Sequence, residues 1–583
     1  MPTLRKCIIV CIFILAFFLR FNKLNTLPPG LGSDEVSVAY NAYSVVLTGR
    51  DEHGRLLPVY FEALGDQKLP VIIYLTGPSI RLFGMTSLGA RFPYAFLGSL
   101  TVVILFYLVK QGIRDEKEKK TWLPEISALL LAINPWHLYH SRAVYEVCIG
   151  LFFLTLAFYC FLRALKSRLW FFLTITSFFL AFYTYSMTRL LSPLLFVFFV
   201  IIYRSALCKF SRKTIFFALM YGFIFLLPFL ITFFDPGGIS APQQAIIITS
   251  SYVTGRLVEF RSYILNSPVA ILGPLLFNRP FLIGYEYLKN ILTALSPQFY
   301  FVTGAGPGGA GIGTTGQFYL IEIIGLFVGL VACWKEIRRG NHFFQLLFGW
   351  MVITILCASL TINPPDSYAG RAHFLISPTI IFIALGWLTL YGNLKKRGKR
   401  VSYGLVCILI MCYLWLAAYY FSAYYFRFPI IYAHAWEAEA KSLFDYLSSV
   451  EKDTDYIVIT KTEKSMYAFL LFYQQIPPQD VWNNLVRYPA DSEGWRRAKS
   501  FKKYQFRPID WEKDTKPWVN AVLVAEGGEY PDRQTVTKEI YYPTLYTVFP
   551  RGKDILAFPE KRVAYRIWRV IPPTMKEQNN KED

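Results

Sequence analysis

The chain has 583 residues, 54% of them hydrophobic and 18% aromatic, and a formal net charge of +21. This is more apolar side chain than the cores of a soluble chain need, so the excess faces lipid. The positive charge does not point to nucleic acid, because twenty-two Lys and Arg against four acids sit in short loops between apolar runs, as the positive-inside rule places them.

In chain order, runs long enough to approach a bilayer span occur near 6–22, 88–109, 123–139, 146–162, 169–183, 189–203, 214–233, 317–334, 343–360, 373–391 and 401–422, about eleven in all. Arg5 and Lys6 precede the first run and no small-residue cleavage site follows it, so it reads as an anchor rather than a signal peptide. The basic loops then set the N-terminus in the cytoplasm. Three long segments fall outside: about 23–87, about 234–316 and everything after about 423.

Within the first of these, SVAYNAYSVVLTG and KLPVIIYLTGPSIRLFG read as short helices with an apolar face, of the kind that lies in the membrane interface. The run GAGPGGAGIGTTG from Gly304 formally contains GxGxxG. No βαβ unit surrounds it, so it is a mobile glycine-rich loop before a helix rather than a nucleotide site. The cysteines lie in apolar runs, apart from Cys208 in a cytoplasmic loop, which leaves no disulfide framework and no Cys-based zinc site. In the last segment DYIVIT, AVLVAE, LYTVFP and VAYRIWRV are strand-like and KSMYAFLLFY is helix-like. The expected fold is an α-helical polytopic membrane protein with a small C-terminal external α/β domain. The division is 1–425 transmembrane and 426–583 external, ending in a charged disordered tail.

The candidate chemistry lies on the external side. LPPGLGSDEVSVAYNAY places Asp34 and Glu35 where the first span surfaces, and acids at lipid depth are seldom kept without a task. GDQKLP holds Asp66 and Lys68. NPWHLYHSRAVYE holds His137, His140, Arg142 and Glu146 at a tight turn, and SLTINPPDSYAGRAH holds Arg371 and His373 at another. Carboxylates with cations at bilayer-surface depth suit a substrate that is half lipid and half polar with an anionic joint. A carboxylate takes the proton of an attacking hydroxyl while Lys and Arg stabilise a departing phosphate, which is glycosyl transfer from a lipid-phosphate sugar. The alternative is a membrane transporter or glycolipid flippase. A transporter would place its acids near the midplane on broken helices within inverted repeats, and neither is read here.

The ordered set of an apolar span, an acidic pair, a (D/E)-x-K-x-P element and an N-P-W…S-R…E turn resembles the polyprenyl-phosphate-sugar-dependent transferases of the C-type glycosyltransferase superfamily. The similar branches are the protein O-mannosyltransferases and lipid A aminoarabinose transferases. FYTYSMTRLLSPL, YFVTGAGPGG and SLTINPPDSYAGRAHFLISP extend the resemblance over residues 1–430. It implies an inverting transferase of the cell membrane, with a polyprenyl-phosphate-linked sugar as donor and a protein, lipid or glycan as acceptor. Asp34 matches the family's first-loop acid, with Glu35 its partner, and Glu146 a second acid. Lys68 matches a lysine that contacts the carrier phosphate, and Arg371 and Arg142 are further candidates for that phosphate. Asp66 lies near an acidic position associated with a divalent metal, Mg or Mn, in some members. Relatives of the aminoarabinose branch have that acid adjacent to the lysine, whereas Gln67 intervenes here.

Overall fold

Long apolar runs without charge settle as helices because a helix satisfies every backbone group within the segment itself, away from water. A computed structural model describes the chain apart from residues 1, 65, 114–121, 233–246, 249–250, 265–269, 307–310, 362–364, 461–465, 490–495, 517–519, 527–528, 530–535, 543–544, 552–553, 561–562 and 571–583; for a few further residues, Asp66 among them, it describes the backbone only. The tail expected to be disordered, most of the basic loop at 110–120 and the centre of the glycine-rich run lie outside the described residues.

The helices are α1 (Pro2–Phe21), α2 (Ser33–Thr48), α3 (Pro70–Phe83), α4 (Ser87–Gly112), α5 (Leu123–Ile133), α6 (Pro135–His140), α7 (Glu146–Ala164), α8 (Leu169–Phe182), α9 (Thr188–Ile202), α10 (Arg212–Thr232), α11 (Arg279–Ala294), α12 (Glu322–Arg338), α13 (His342–Ser359), α14 (Pro365–Ala372), α15 (Ile376–Arg397), α16 (Lys399–Ser422), α17 (Ala440–Val450) and α18 (Met466–Tyr473), with shorter pieces between them. Each apolar run coincides with helix. Six helical stretches among the described residues are long and apolar enough to cross a membrane, so the protein is a multi-pass membrane protein. Two runs differ in detail. The run expected at 123–139 breaks at Asn134, whose side chain caps α6 by accepting from the His137 amide at 2.8 Å, with Pro135 as the first helical residue. The run expected from 317 becomes helix only at Glu322, whose carboxylate accepts from the Tyr319 amide at 2.9 Å.

The chain forms two compact units, Met1–Asn22 with Tyr94–Ala423, and Lys23–Pro93 with Tyr424–Asp583. The first is helical. Its closest packing is between α12 and α15, where Gly325, Gly329 and Gly386 let the backbones touch: a Cβ on Gly386 would lie 1.9 Å from the Gly325 carbonyl oxygen. In the same unit the ends of the glycine-rich run are tied down. The Phe318 amide donates to the Tyr300 carbonyl at 2.8 Å, and Gly304 takes φ +66° with its α-carbon close to Thr315.

The second unit joins the loop after α1 to the C-terminal segment. Its sheet runs β4 (Leu485–Arg487), β5 (Ala498–Phe501), β6 (Tyr504–Phe506), β3 (Tyr456–Ile459), β7 (Ala521–Glu526), β11 (Val563–Val570), β8 (Lys538–Tyr541), with β3 parallel to both neighbours and the other pairs antiparallel. Three of the four expected strands are its centre. The fourth, LYTVFP, instead forms a separate hairpin of β9 (Leu545–Arg551) and β10 (Asp554–Glu560). Val458, Leu523 and Val570 bury one face. Helix α2 packs on α3 and α18 and buries Val36, Val38, Ala39 and Tyr40, and the Tyr40 hydroxyl donates to the Ile476 carbonyl at 2.9 Å.

Candidate active site

In the second unit the site is built at the start of α2. Gly32 is its N-cap, and the Glu35 carboxylate reaches back to accept from the Gly32 amide at 3.1 Å, the return half of a capping box. Asp34 and Glu35 therefore share the first turn, where the helix dipole favours negative charge. Their surroundings differ. Glu35 is buried, and the buried Arg91 at the start of α4 grips it through two bonds of 2.9 and 2.7 Å. The same guanidinium donates to the carbonyls of Pro28 at 2.9 Å and Gly30 at 2.6 Å. This knot fixes the LPPGLG turn, which passes so close to Trp436 and Ala438 that Gly30, at φ +71°, has no room for a Cβ.

Asp34 points outward, its side chain 68% exposed, and its Oδ1 lies 2.8 Å from Nζ of Lys68, whose side chain is 9% exposed. The lysine is delivered by a short hairpin, β1 (Phe61–Ala63) against β2 (Asp66–Lys68), with Phe61 opposite Lys68. Leu69 then N-caps α3 and Pro70 takes its first position, so the Q-K-L-P run is the point where a strand must turn into a helix. The result is an exposed carboxylate beside a nearly buried ammonium, able to accept a proton and to face an anion.

The first unit holds the remaining candidates. Arg142 is buried and donates to the carbonyls of Leu19 at 2.6 Å, Arg20 at 3.0 Å and Asn22 at 2.6 Å, so the residue expected at the carrier phosphate caps the C-terminus of α1. Arg20 makes the matching cap on α5, through the carbonyls of Leu131 and Ala132 at 3.3 Å, and donates to Nδ1 of His137 at 2.7 Å. His140 and His373 are buried with their rings 4.5 Å apart, and the Trp136 ring meets that of His373 edge to face at 5.6 Å. Glu146 is half-buried as the first residue of α7. Arg371, half-buried in the last turn of α14, donates to the Thr361 hydroxyl at 2.9 Å.

Thus Asp34 meets Lys68, Glu35 meets Arg91, and Arg142 meets a helix end. Arg91 and Arg20 are the residues that the sequence reading passes over. Their one signal was charge inside or at the edge of an apolar run, which is costly unless paired.

Residues 67–232 match the family described as dolichyl-phosphate-mannose-protein mannosyltransferase. The crystal structure of ArnT from Cupriavidus metallidurans bound to undecaprenyl phosphate aligns with a TM-score of 0.50 and 12% identity, over 97% of this chain and 98% of that one. The fold is that of the C-type glycosyltransferases. The archaeal oligosaccharyltransferase AglB from Archaeoglobus fulgidus, in complex with an inhibitory peptide and a dolichol-phosphate, aligns at a TM-score of 0.46 and 13% identity over 80% of this chain. This chain covers 63% of the length of that protein. A second structure of the Archaeoglobus fulgidus oligosaccharyltransferase, a complex with Zn and sulfate, aligns at 0.48 and 12% identity over 80% of this chain and 61% of that one. No curated protein sequence matches.

The divalent ion that the C-type resemblance implies finds no set of donors among the described residues. No three of His, Cys, Asp and Glu are grouped to hold one. Both Glu35 oxygens are engaged by Arg91, Asp34 faces an ammonium, and the Asp66 side chain lies outside what is described.

Proposed function

We propose that this chain is an integral membrane glycosyltransferase that moves a sugar from a polyprenyl-phosphate carrier to a hydroxyl of a protein, lipid or glycan acceptor on the extracytoplasmic face. The observation that carries the reading is the Asp34–Lys68 pair, an exposed carboxylate 2.8 Å from an ammonium held by a hairpin, in a chain of C-type fold.

The Asp34 carboxylate accepts the hydroxyl proton as the acceptor oxygen bonds to the anomeric carbon. The bond from that carbon to the carrier phosphate oxygen breaks, and its electron pair leaves with the phosphate. Lys68 balances the charge that grows there. One displacement inverts the anomeric configuration. Arg371 is assigned as a second phosphate ligand and Glu146 as a second acid, both on the resemblance. Glu35 and Arg142 are assigned to positioning: Glu35 is held by Arg91 and accepts from the Gly32 amide, and Arg142 caps the end of α1. No step is routed through a metal ion. The basic loops support a cytoplasmic N-terminus. The C-terminal segment, which shares a compact unit with residues 23–93, is assigned to the same external side as Asp34.

The test is to supply the purified protein in lipid with a panel of labelled polyprenyl-phosphate sugars and membrane extract, and to identify what becomes labelled. Transfer from at least one donor to a hydroxyl-bearing product, with the anomeric configuration inverted, is the expected result. Retention of configuration would exclude the single displacement.

A further inference from the structure

Helix α11 has its amphipathicity reversed. Phe281, Tyr285, Leu288 and Leu292, with Leu295 just past its end, recur at helical spacing along one face, and each is more than half exposed. The opposite face, turned to the protein, carries Glu286 and Asn290 along with Leu282 and Ala294. A helix lying between a core and water does the reverse, burying its apolar stripe and hydrating its polar one.

The polar face has a clear reason to be inside. Nδ2 of Asn290 donates to the carbonyls of Ser359 at 3.1 Å and Thr361 at 2.9 Å, and the Tyr287 hydroxyl donates to the Leu356 carbonyl at 3.3 Å. These carbonyls belong to the last turn of α13 and the residues just beyond it. Since α13 is one of the helices long and apolar enough to cross the bilayer, α11 is fastened where a span emerges from the membrane. Leu356 of that turn is itself exposed, so the stripe adjoins an exposed apolar residue of a helix able to span the bilayer.

A helix of 16 residues carrying Glu286, Lys289 and Asn290 is too short and too polar to span. Its length of about 24 Å suits a position along the surface instead. Lys289, paired with Glu286 and half exposed, and Arg279 at the first turn lie where phospholipid headgroups would be.

We propose that the Phe281–Leu295 stripe is a lipid contact, and that α11 lies in the bilayer interface beside the end of α13 as an anchor for the segment between α10 and α12. The inference is independent of the transfer reaction.

Photo-crosslinking in the full chain tests it. Phe281, Tyr285 and Leu288 are replaced one at a time by p-benzoylphenylalanine, and the protein is irradiated in vesicles of phosphatidylethanolamine and phosphatidylglycerol. Leu414, exposed on the spanning helix α16, serves as the reference for a lipid contact. The expected result is phospholipid adducts by mass spectrometry at all three positions, in yields within about threefold of that at Leu414. A dimer-sized crosslink would overturn the proposal in favour of a second copy covering the stripe. Absence of adducts at the three positions, with normal adducts at Leu414, would overturn it in favour of water. Because every substituted side chain already points outward, the variants are expected to fold.

Discussion

Two acid–cation pairs share the first turn of α2 and have opposite surroundings. Glu35 and Arg91 are both buried, and the guanidinium spends its remaining donors on the carbonyls of the preceding turn. Asp34 and Lys68 form a pair with one side open, an exposed carboxylate against a nearly buried ammonium. A buried pair of this kind holds the backbone in place, and desolvation offsets much of its attraction. The open pair contributes little stability and keeps a lone pair and a positive charge available. On the proposed reading, adjacent residues divide the work of holding the turn and of meeting a ligand.

The largest effect is expected from breaking the closed pair. Arg91→Met leaves Glu35 buried and uncompensated, and should cost about 3–5 kcal/mol, read as a fall in the thermal unfolding midpoint of the purified protein. The double variant Glu35→Leu with Arg91→Met should recover a large part of that loss, because the stranded charge is then gone. Recovery of nothing would mean that the Arg91 bonds to Pro28 and Gly30 matter more than the pair.

Opening the other pair should act on chemistry. Lys68→Met should reduce transfer about ten- to hundredfold and raise the donor concentration needed, since it removes the charged contact proposed for the carrier phosphate, while the unfolding midpoint moves little. Unchanged donor dependence would remove Lys68 from the phosphate.

Arg142 separates the two kinds of role within the other unit. As a cap on α1, Arg142→Leu should destabilise by about 1–3 kcal/mol through the carbonyls it abandons, leaving donor dependence as it was. A raised donor requirement in a stably folded variant would restore it as a phosphate ligand.

A third pair in the second unit extends the comparison to pH. Burial pushes the Asp514 carboxyl up, but the two 2.8 Å bonds from Arg507 and the bond from the Asp510 amide outweigh it and hold the group below the usual carboxylate range. The stability it contributes is therefore complete above the ordinary aspartate value of about 3.9, and is lost as pH falls through the depressed one. Acid unfolding of the wild type should show this small loss at low pH, and Asp514→Asn should remove it.

Much of this architecture can be read from the sequence, because it depends on local pattern. Every apolar run became helix, and DYIVIT, AVLVAE and VAYRIWRV became the middle of the sheet as β3, β7 and β11. The strands missed, such as β4 and β6, are three residues long and too short to show a period of two. The acid pair was visible as a pair, but its division was not. Side chains at successive helix positions point about 100° apart, and which of the two meets Arg91 depends on a chain 56 residues away. The partners of Arg142 were hidden for the same reason: the carbonyls of α1 that it caps lie over a hundred residues earlier. Asn134 and Pro135 did carry their meaning locally, as a cap and a first helical residue.

Whether Asp34 reacts while Glu35 supports is decided most directly by transfer rate and unfolding midpoint measured on the same preparation of Asp34→Asn. The expected result is a midpoint near that of the wild type with transfer reduced on the order of 10²–10⁴-fold, the usual contribution of a positioned base. A variant that keeps more than about a tenth of wild-type transfer would contradict it, since that is less than the smallest loss expected on removing a general base.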